Sequence, residues 1–171
     1  MELDVSKAFV TPATAFPFQA VVALPPQELG GETITFDPVA LQGTYSAYEG
    51  VVSLEGALET VAHGACAMCM RPADASIETD FAETFRRDAN EAEDESFRYE
   101  NKSVPLDHMT LTLVMLNLQL RFLCKDGCPG SEELQAWIKQ NPASVHQAEG
   151  ETSTRRPFEG LQGLLDQKPE P

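Results

Sequence analysis

Basic residues are scarce in this chain. Twelve lysines and arginines stand against 27 aspartates and glutamates, a formal charge of −15, and basic residues never run more than two together. An ordinary nucleic-acid grip needs a basic stripe to displace counterions from phosphates, so that class is excluded. No apolar run is long enough to span a membrane. The opening MELDVSKAFV has no basic stretch followed by an apolar one, so a cytoplasmic chain without a signal peptide is expected. Also missing are the H-E-x-x-H, G-x-S-x-G, phosphate-loop and dinucleotide fingerprints. The acidic NEAEDES stretch lacks the ligand order of a calcium loop and reads as an exposed, mobile loop. The three histidines, His63, His108 and His146, join no motif. These absences point away from an enzyme. The acidic surplus favours a basic protein partner, or a solvated surface and nothing more.

What is present reads as an α+β protein. FQAVVAL (residues 18–24) fits a strand stopped by Pro25 and Pro26, and Gly30–Gly31 supply a turn. TITFDPVAL, TYSAYEG and VVSLEGALETVAHGA continue as strands, broken by Gly43 and Gly50. In the last of these, Val52, Leu54, Gly56, Leu58, Thr60 and Ala62 share one face, a period of two that marks a half-buried antiparallel strand. ASIETDFAETFRRD resumes the pattern with Ile77, Phe81 and Phe85. PLDHMTLTLVMLNLQLRFL then predicts a long buried helix with Asp107 as N-cap and Leu106 as staple, running to the second cysteine pair. Its face would hold Leu111, Val114, Met115, Leu118 and Phe122, widened by Leu113, Leu116 and Leu120. SEELQAWIKQN predicts a short helix stopped at Asn141–Pro142. The expected architecture is an antiparallel, partly barrel-like meander with one long packed helix and a short one. Residues 1–142 would form a single domain, and 143–171 a polar linker and tail with one apolar motif at 157–165.

The four cysteines form two pairs, Cys66 and Cys69 in CAMC, and Cys124 and Cys128 in CKDGC. A reducing compartment disfavours structural disulfides, which leaves metal ligands or packed thiols. A structural zinc ion takes four ligands in a tetrahedron, and two short pairs in tight turns supply them. Residues three apart on an extended strand point to opposite faces, so CAMC must turn, and Pro72 marks the place. Gly127 and Pro129 mark a turn at the second pair. With 54 residues (70–123) between the pairs, a zinc ion held by all four cysteines would clamp a domain rather than build one. The alternatives are four thiols without an ion, His63 as a substitute ligand, or a redox pair in CAMC, the last requiring the pair to open a helix.

LEGALETVAHGACAMCMRP resembles the glycine, spaced-apolar, C-x-R-C-L-x-P signature of the YceD family, the large ribosomal RNA subunit accumulation proteins. The acidic loop, the helix from Leu106–Asp107, the C-x3-C pair and the RPFEGLQGLL tail follow in the family's order. Met68 stands where the family has arginine, and Arg121–Phe122 replace its Leu-Pro after the helix. The resemblance implies a non-enzymatic role in large-subunit ribosomal RNA accumulation and ribosome assembly. Joined to the charge, it implies binding of a basic ribosomal protein or a pre-ribosomal particle, with the carboxylates from Asp88 to Glu95 and those of the tail as a mobile acidic surface. Direct RNA contact through Arg86, Arg87, Arg155 and Arg156 is the less favoured version. A zinc-stabilised scaffold for an unrelated protein and a thiol enzyme are the competing classes.

Overall fold

The structure is a computed structural model that describes residues 1–90 and 96–141. Residues Met1–Ser131 form one compact unit, and Glu132 opens a second. The predicted polar linker and tail, the 157–165 motif, and most of the acidic loop lie outside the described residues.

The first unit is built on long antiparallel strands. β2 (Phe16–Val22) and β3 (Gln27–Leu29) run back along β5 (Val39–Tyr48) and β4 (Glu32–Phe36), respectively. The register is continuous across both pairs, Val22 opposite Val39 and Gln27 opposite Ile34. They are therefore one hairpin turned at Gly30–Gly31, where both glycines hold positive φ (63° and 87°). Prolines interrupt its ladder, Pro25–Pro26 on one side and Pro38 on the other, because proline has no N–H to give. β4 and β5 in turn share one edge of β6 (Val51–Ala65). Between the pairs Phe36↔Ala62 and Ala40↔Glu59 three residues face two, so Asp37–Pro38 forms a bulge. Two bonds fix it: the Asp37 N–H donates to the Val61 carbonyl at 2.9 Å, and the Thr60 hydroxyl donates to the Asp37 carbonyl at 2.9 Å.

β6 pairs along its whole length with β7 (Pro72–Arg86), from Val52↔Phe85 to Ala65↔Pro72 with no slip. Fourteen paired residues span about 48 Å at the antiparallel rise. The predicted period of two holds: Val52, Leu54, Leu58, Thr60 and Ala62 are buried, as are Ile77, Phe81 and Phe85. The predicted meander therefore stands, but the sheet is not closed into a barrel. β8 (Phe97–Arg98) adds a short parallel pairing on β7.

Gly43 was expected to break a strand and does not. β5 runs through it, and Gly43 lies directly opposite Gly56. A Cβ on Gly43 would sit 2.1 Å from the Glu55 carbonyl oxygen, and one on Gly56 2.1 Å from that of Gln42. The glycines permit a close approach of two strands rather than a turn.

The N-terminus contributes β1 (Glu2–Asp4) and α1 (Ser6–Val10), which the sequence reading left unassigned. β1 pairs with β9 (Ser103–Pro105), just before α2 (Leu106–Asn117). This pairing displaces the predicted cap. The helix starts at Leu106, whose N–H donates to the Met1 carbonyl at 3.0 Å. Pro105 is the N-cap, without a side-chain bond, and the Asp107 carboxylate meets the N-terminal ammonium instead. Leu106, Met109, Leu113 and Val114 are buried in the core. The helix also ends earlier than predicted. Asn117 donates its side-chain amide to the Leu113 carbonyl at 2.9 Å, and Leu118 is extended (φ −69°, ψ 128°). Leu118 and Phe122 reach the core from the segment after the helix, while Leu116 and Leu120 are exposed.

The second unit contains α3 (Glu132–Gln140), the predicted short helix. Glu132 and Glu133 suit its positive end, and the Asn141 N–H closes it on Trp137 and Ile138. It buries no residue, and Trp137 is half exposed. No helix among the described residues is long and apolar enough to cross a membrane.

A candidate metal centre at the tip of the long hairpin

CAMC is the turn between β6 and β7. Residues 66–71 close the hairpin through two backbone bonds, Cys66 N–H to the Arg71 carbonyl at 2.8 Å and Met70 N–H to the Cys66 carbonyl at 2.9 Å. Met70 takes a left-handed φ of 58°, the conformation glycine serves in many such turns. The turn ends the strand alternation, as Pro72 suggested, and aims both sulfurs to one side.

The second pair is brought to this turn by Phe122. Its ring is buried and lies against Gly64, and its carbonyl accepts from Ala67 N–H at 3.0 Å. Ser131 N–H donates to the Met68 carbonyl at 3.1 Å, which fixes the far end of the CKDGC segment on the same turn. Gly127, with φ 62°, provides the reversal between Cys124 and Cys128.

The four sulfurs then form one cluster, all within 4.8 Å of one another. Cys66 and Cys128 Sγ are 3.8 Å apart, Cys69 and Cys124 3.6 Å, and Cys124 and Cys128 3.7 Å. A disulfide needs about 2.05 Å, so these are four free thiols. A tetrahedral ion with metal–sulfur bonds of about 2.3 Å has sulfur–sulfur edges of about 3.8 Å. The donor set and its spacing therefore fit a metal ion. Cys66 and Cys128 are buried, Cys69 and Cys124 half-buried.

The electrostatics around the cluster favour thiolates at Cys66 and Cys69. Backbone N–H groups of Cys124 and Met68 point at the Cys66 sulfur and lower its pKa to about 6. The Arg71 side chain holds the Cys69 thiol below its ordinary range. Its Nε lies 3.4 Å from Cys69 Sγ and its Nη2 3.7 Å from Cys124 Sγ. Burial, followed by its sulfur neighbours, pushes Cys124 up to about 12. Without a cation four clustered thiols cannot all ionise; a divalent ion removes that conflict. Four thiolates on such an ion leave a net charge of −2, which the Arg71 guanidinium partly offsets. Arg71 was not singled out in the sequence; its position two residues after Cys69 was the available signal. Arg121 sets its Nη2 2.8 Å from Met68 Sδ.

The other sequence candidates fall elsewhere. His63 faces away from the sulfurs and bridges two carboxylates, Asp74 through Nδ1 at 2.7 Å and Asp37 through Nε2 at 3.2 Å. It ties β7 and the bulge to β6. These bonds, to Asp74 first and Asp37 second, raise its pKa. The raised folded-state value means the tie stabilises fully below the ordinary histidine pKa and is lost as pH rises through the folded one. All three groups are exposed, so the expected effect is below about 1 kcal/mol. Urea unfolding of the wild type and His63→Gln should differ at pH 6 and converge by pH 8–9; a constant gap would refute the tie. The redox alternative required CAMC to open a helix, whereas CAMC closes a β-hairpin. Arg87 donates to the Asn101 carbonyl at 3.2 Å and lies over the Tyr99 ring. His146, Arg155 and Arg156 lie outside the described residues.

Fold and site together define an α+β protein whose long hairpin is tied at its tip by a four-cysteine cluster. A family profile described as "Large ribosomal RNA subunit accumulation protein YceD" matches residues 54–165, and the chain belongs to that family. The matched span runs from near the start of β6 past α3 and contains both cysteine pairs. Neither the curated proteins nor the solved structures yielded a match. The family is one of large ribosomal RNA subunit accumulation, which points to ribosomal partners in general.

Proposed function

We propose that this protein is a non-enzymatic assembly factor of the large ribosomal subunit, acting in the cytoplasm on a basic ribosomal protein or a pre-ribosomal particle. The observation that carries the reading is the family profile over residues 54–165. The charge of −15 supports a basic protein as the direct partner. Carboxylates would neutralise its basic surface until ribosomal RNA, with its denser phosphate charge, displaces them. Arg87, engaged within the fold, is poorly disposed for direct RNA contact. In this reading Cys66, Cys69, Cys124 and Cys128 hold one structural zinc ion, since four thiolates in a closed tetrahedron suit zinc. The ion would pin the hairpin turn to the segment after α2 and leave no open position for chemistry.

The test combines depletion with sedimentation. Cells lacking the protein should accumulate less large-subunit than small-subunit ribosomal RNA. The tagged chain should sediment with large-subunit precursors or a basic ribosomal protein at 50 mM salt and release them near 0.5 M, where screening shortens the reach of charge. An unchanged RNA ratio together with no ribosomal partner at low salt would overturn the proposal and favour a scaffold for another protein.

A further inference from the structure

β7 is paired along one edge only. Its β6 edge is complete from Pro72 to Phe85. On the other edge Phe85 and Arg86 pair with β8, and the Arg86 carbonyl accepts from Tyr99 N–H. Residues 73–84 have no backbone partner on that edge among the described residues. A row of free N–H and C=O groups of this length is a template for another strand. The opposite edge of the sheet is blunted by Pro17 in β2 and by Pro25–Pro26 after it. Residues 73–84 contain no proline, glycine or lysine, and their inward side chains Ala73, Ala75, Ile77 and Phe81 are buried in regular alternation.

Charge identifies the occupant. The outward side chains of β7 include Asp74, Glu78 and Asp80, all exposed. Glu59 on β6 lies directly opposite Glu78. Like charges in that position repel, and neither has an ion pair among the described residues. A groove of about 970 Å³ adjoins Glu59, Glu78 and Asp80, and Met1, Leu41 and Leu58 also line it. A strand laid on β7 sets its outward side chains about 5 Å from those of β7. Lysine or arginine there would relieve the Glu59–Glu78 repulsion and have room to extend over the groove. A second copy of this chain would oppose acid to acid, and a phosphate backbone would do the same.

We infer that the free edge of β7 is a strand-addition site for an extended segment of a basic protein, with lysine or arginine at alternate positions. The inference rests on the assembly-factor reading for the partner's class. Main-chain bonds supply the affinity and the alternate carboxylates the selectivity, as in other strand-addition complexes.

The test uses the full chain and synthetic ten-residue peptides at 50 mM salt. One alternates lysine with threonine and valine; two copies carry N-methyl groups on alternate residues, one in each phase; one has glutamate for lysine. The lysine peptide should bind and slow amide hydrogen exchange in residues 73–84. At least one methylated copy should bind about tenfold or more weakly, and the glutamate peptide should not bind. The double variant Glu78→Lys/Asp80→Lys, at exposed positions, should reverse the preference between lysine and glutamate peptides. Binding of both methylated copies as tight as that of the parent, protection elsewhere, no binding of the lysine peptide, or self-association that protects residues 73–84 would overturn the inference. The two proposals fail separately. If the double variant still sediments with ribosomal partners as the wild type does, the edge assignment falls and the assembly role stands. If the wild type finds no such partner, the assembly role falls.

Discussion

Cys66→Ser protein is expected to purify with no bound zinc, whereas the wild type, prepared without chelator, should carry about one ion per chain. The loss should cost roughly 3–5 kcal/mol of stability, because the binding free energy of a structural ion is folding free energy. The core decides what survives. Strands β2 to β7 and α2 bury a continuous apolar cluster of which Cys66 and Cys128 are only two members among many. Sheet content should therefore persist in Cys66→Ser while the tip of the hairpin opens. Hydrogen exchange should rise in residues 64–72 and 118–131, the two segments that meet at the cluster, and stay near wild type in residues 52–60. Chelation of the wild type should reproduce this pattern and expose all four thiols to alkylation. Wild-type protein with no metal by elemental analysis, and thiols equally reactive before and after chelator, would reduce the cluster to packed cysteines.

The second large effect lies at the glycine pair. Gly56→Ala puts a Cβ 2.1 Å from the Gln42 carbonyl oxygen and 2.8 Å from the Gly43 Cα. Both are backbone atoms, so no side chain can move aside. The strands must part, at about 3 kcal/mol, which corresponds to a fall in Tm of roughly 6–12 °C for a chain of this size. Gly43→Ala should cost about the same, since it crowds the same gap from the other strand. The double variant should cost clearly less than the sum, because strands already parted accommodate the second methyl. Gly64→Ala is the control: its Cβ would meet the Phe122 ring at 3.5 Å, an ordinary contact, and stability should change by less than about 0.5 kcal/mol. Urea unfolding of the four variants decides the matter; a tolerant Gly56→Ala would mean that the close approach is not required.

The same glycines mark where sequence reasoning reached its limit. Alternation in VVSLEGALETVAHG is local, written into each strand by the one face it buries, and the buried faces of β6 and β7 were readable for that reason. A glycine that admits a neighbouring backbone looks, in sequence, like one that ends a strand; only the partner strand tells them apart. The cap of α2 failed similarly. Asp107 carries the right chemistry for an N-cap, but pairing of β1 with β9, a contact between chain regions a hundred residues apart, satisfies the helix start with the Met1 carbonyl and leaves Asp107 to the N-terminal ammonium. The cysteines were legible as a set because spacing within each pair is local, and turn residues flank both. Arg71 and Phe122 were not. Their roles come from which segments meet at the hairpin tip, and no periodicity encodes that meeting.

The distance along the chain between the two halves of the sulfur cluster has a consequence for synthesis. Cys66 and Cys69 leave the ribosome first, and 54 residues separate them from Cys124. A nascent chain displaying only the first pair offers an ion two sulfurs, half of a closed site. The β6–β7 hairpin must then zip through its own side chains, and the core must receive α2 and Phe122 before the ion can be locked in. Full coordination of an ion would thus record completion: it would become available only after everything between the pairs has been translated and threaded. A truncated or stalled product ending before Cys124 cannot complete the four-sulfur cluster, and leaves Cys66 and Cys69 without their partners.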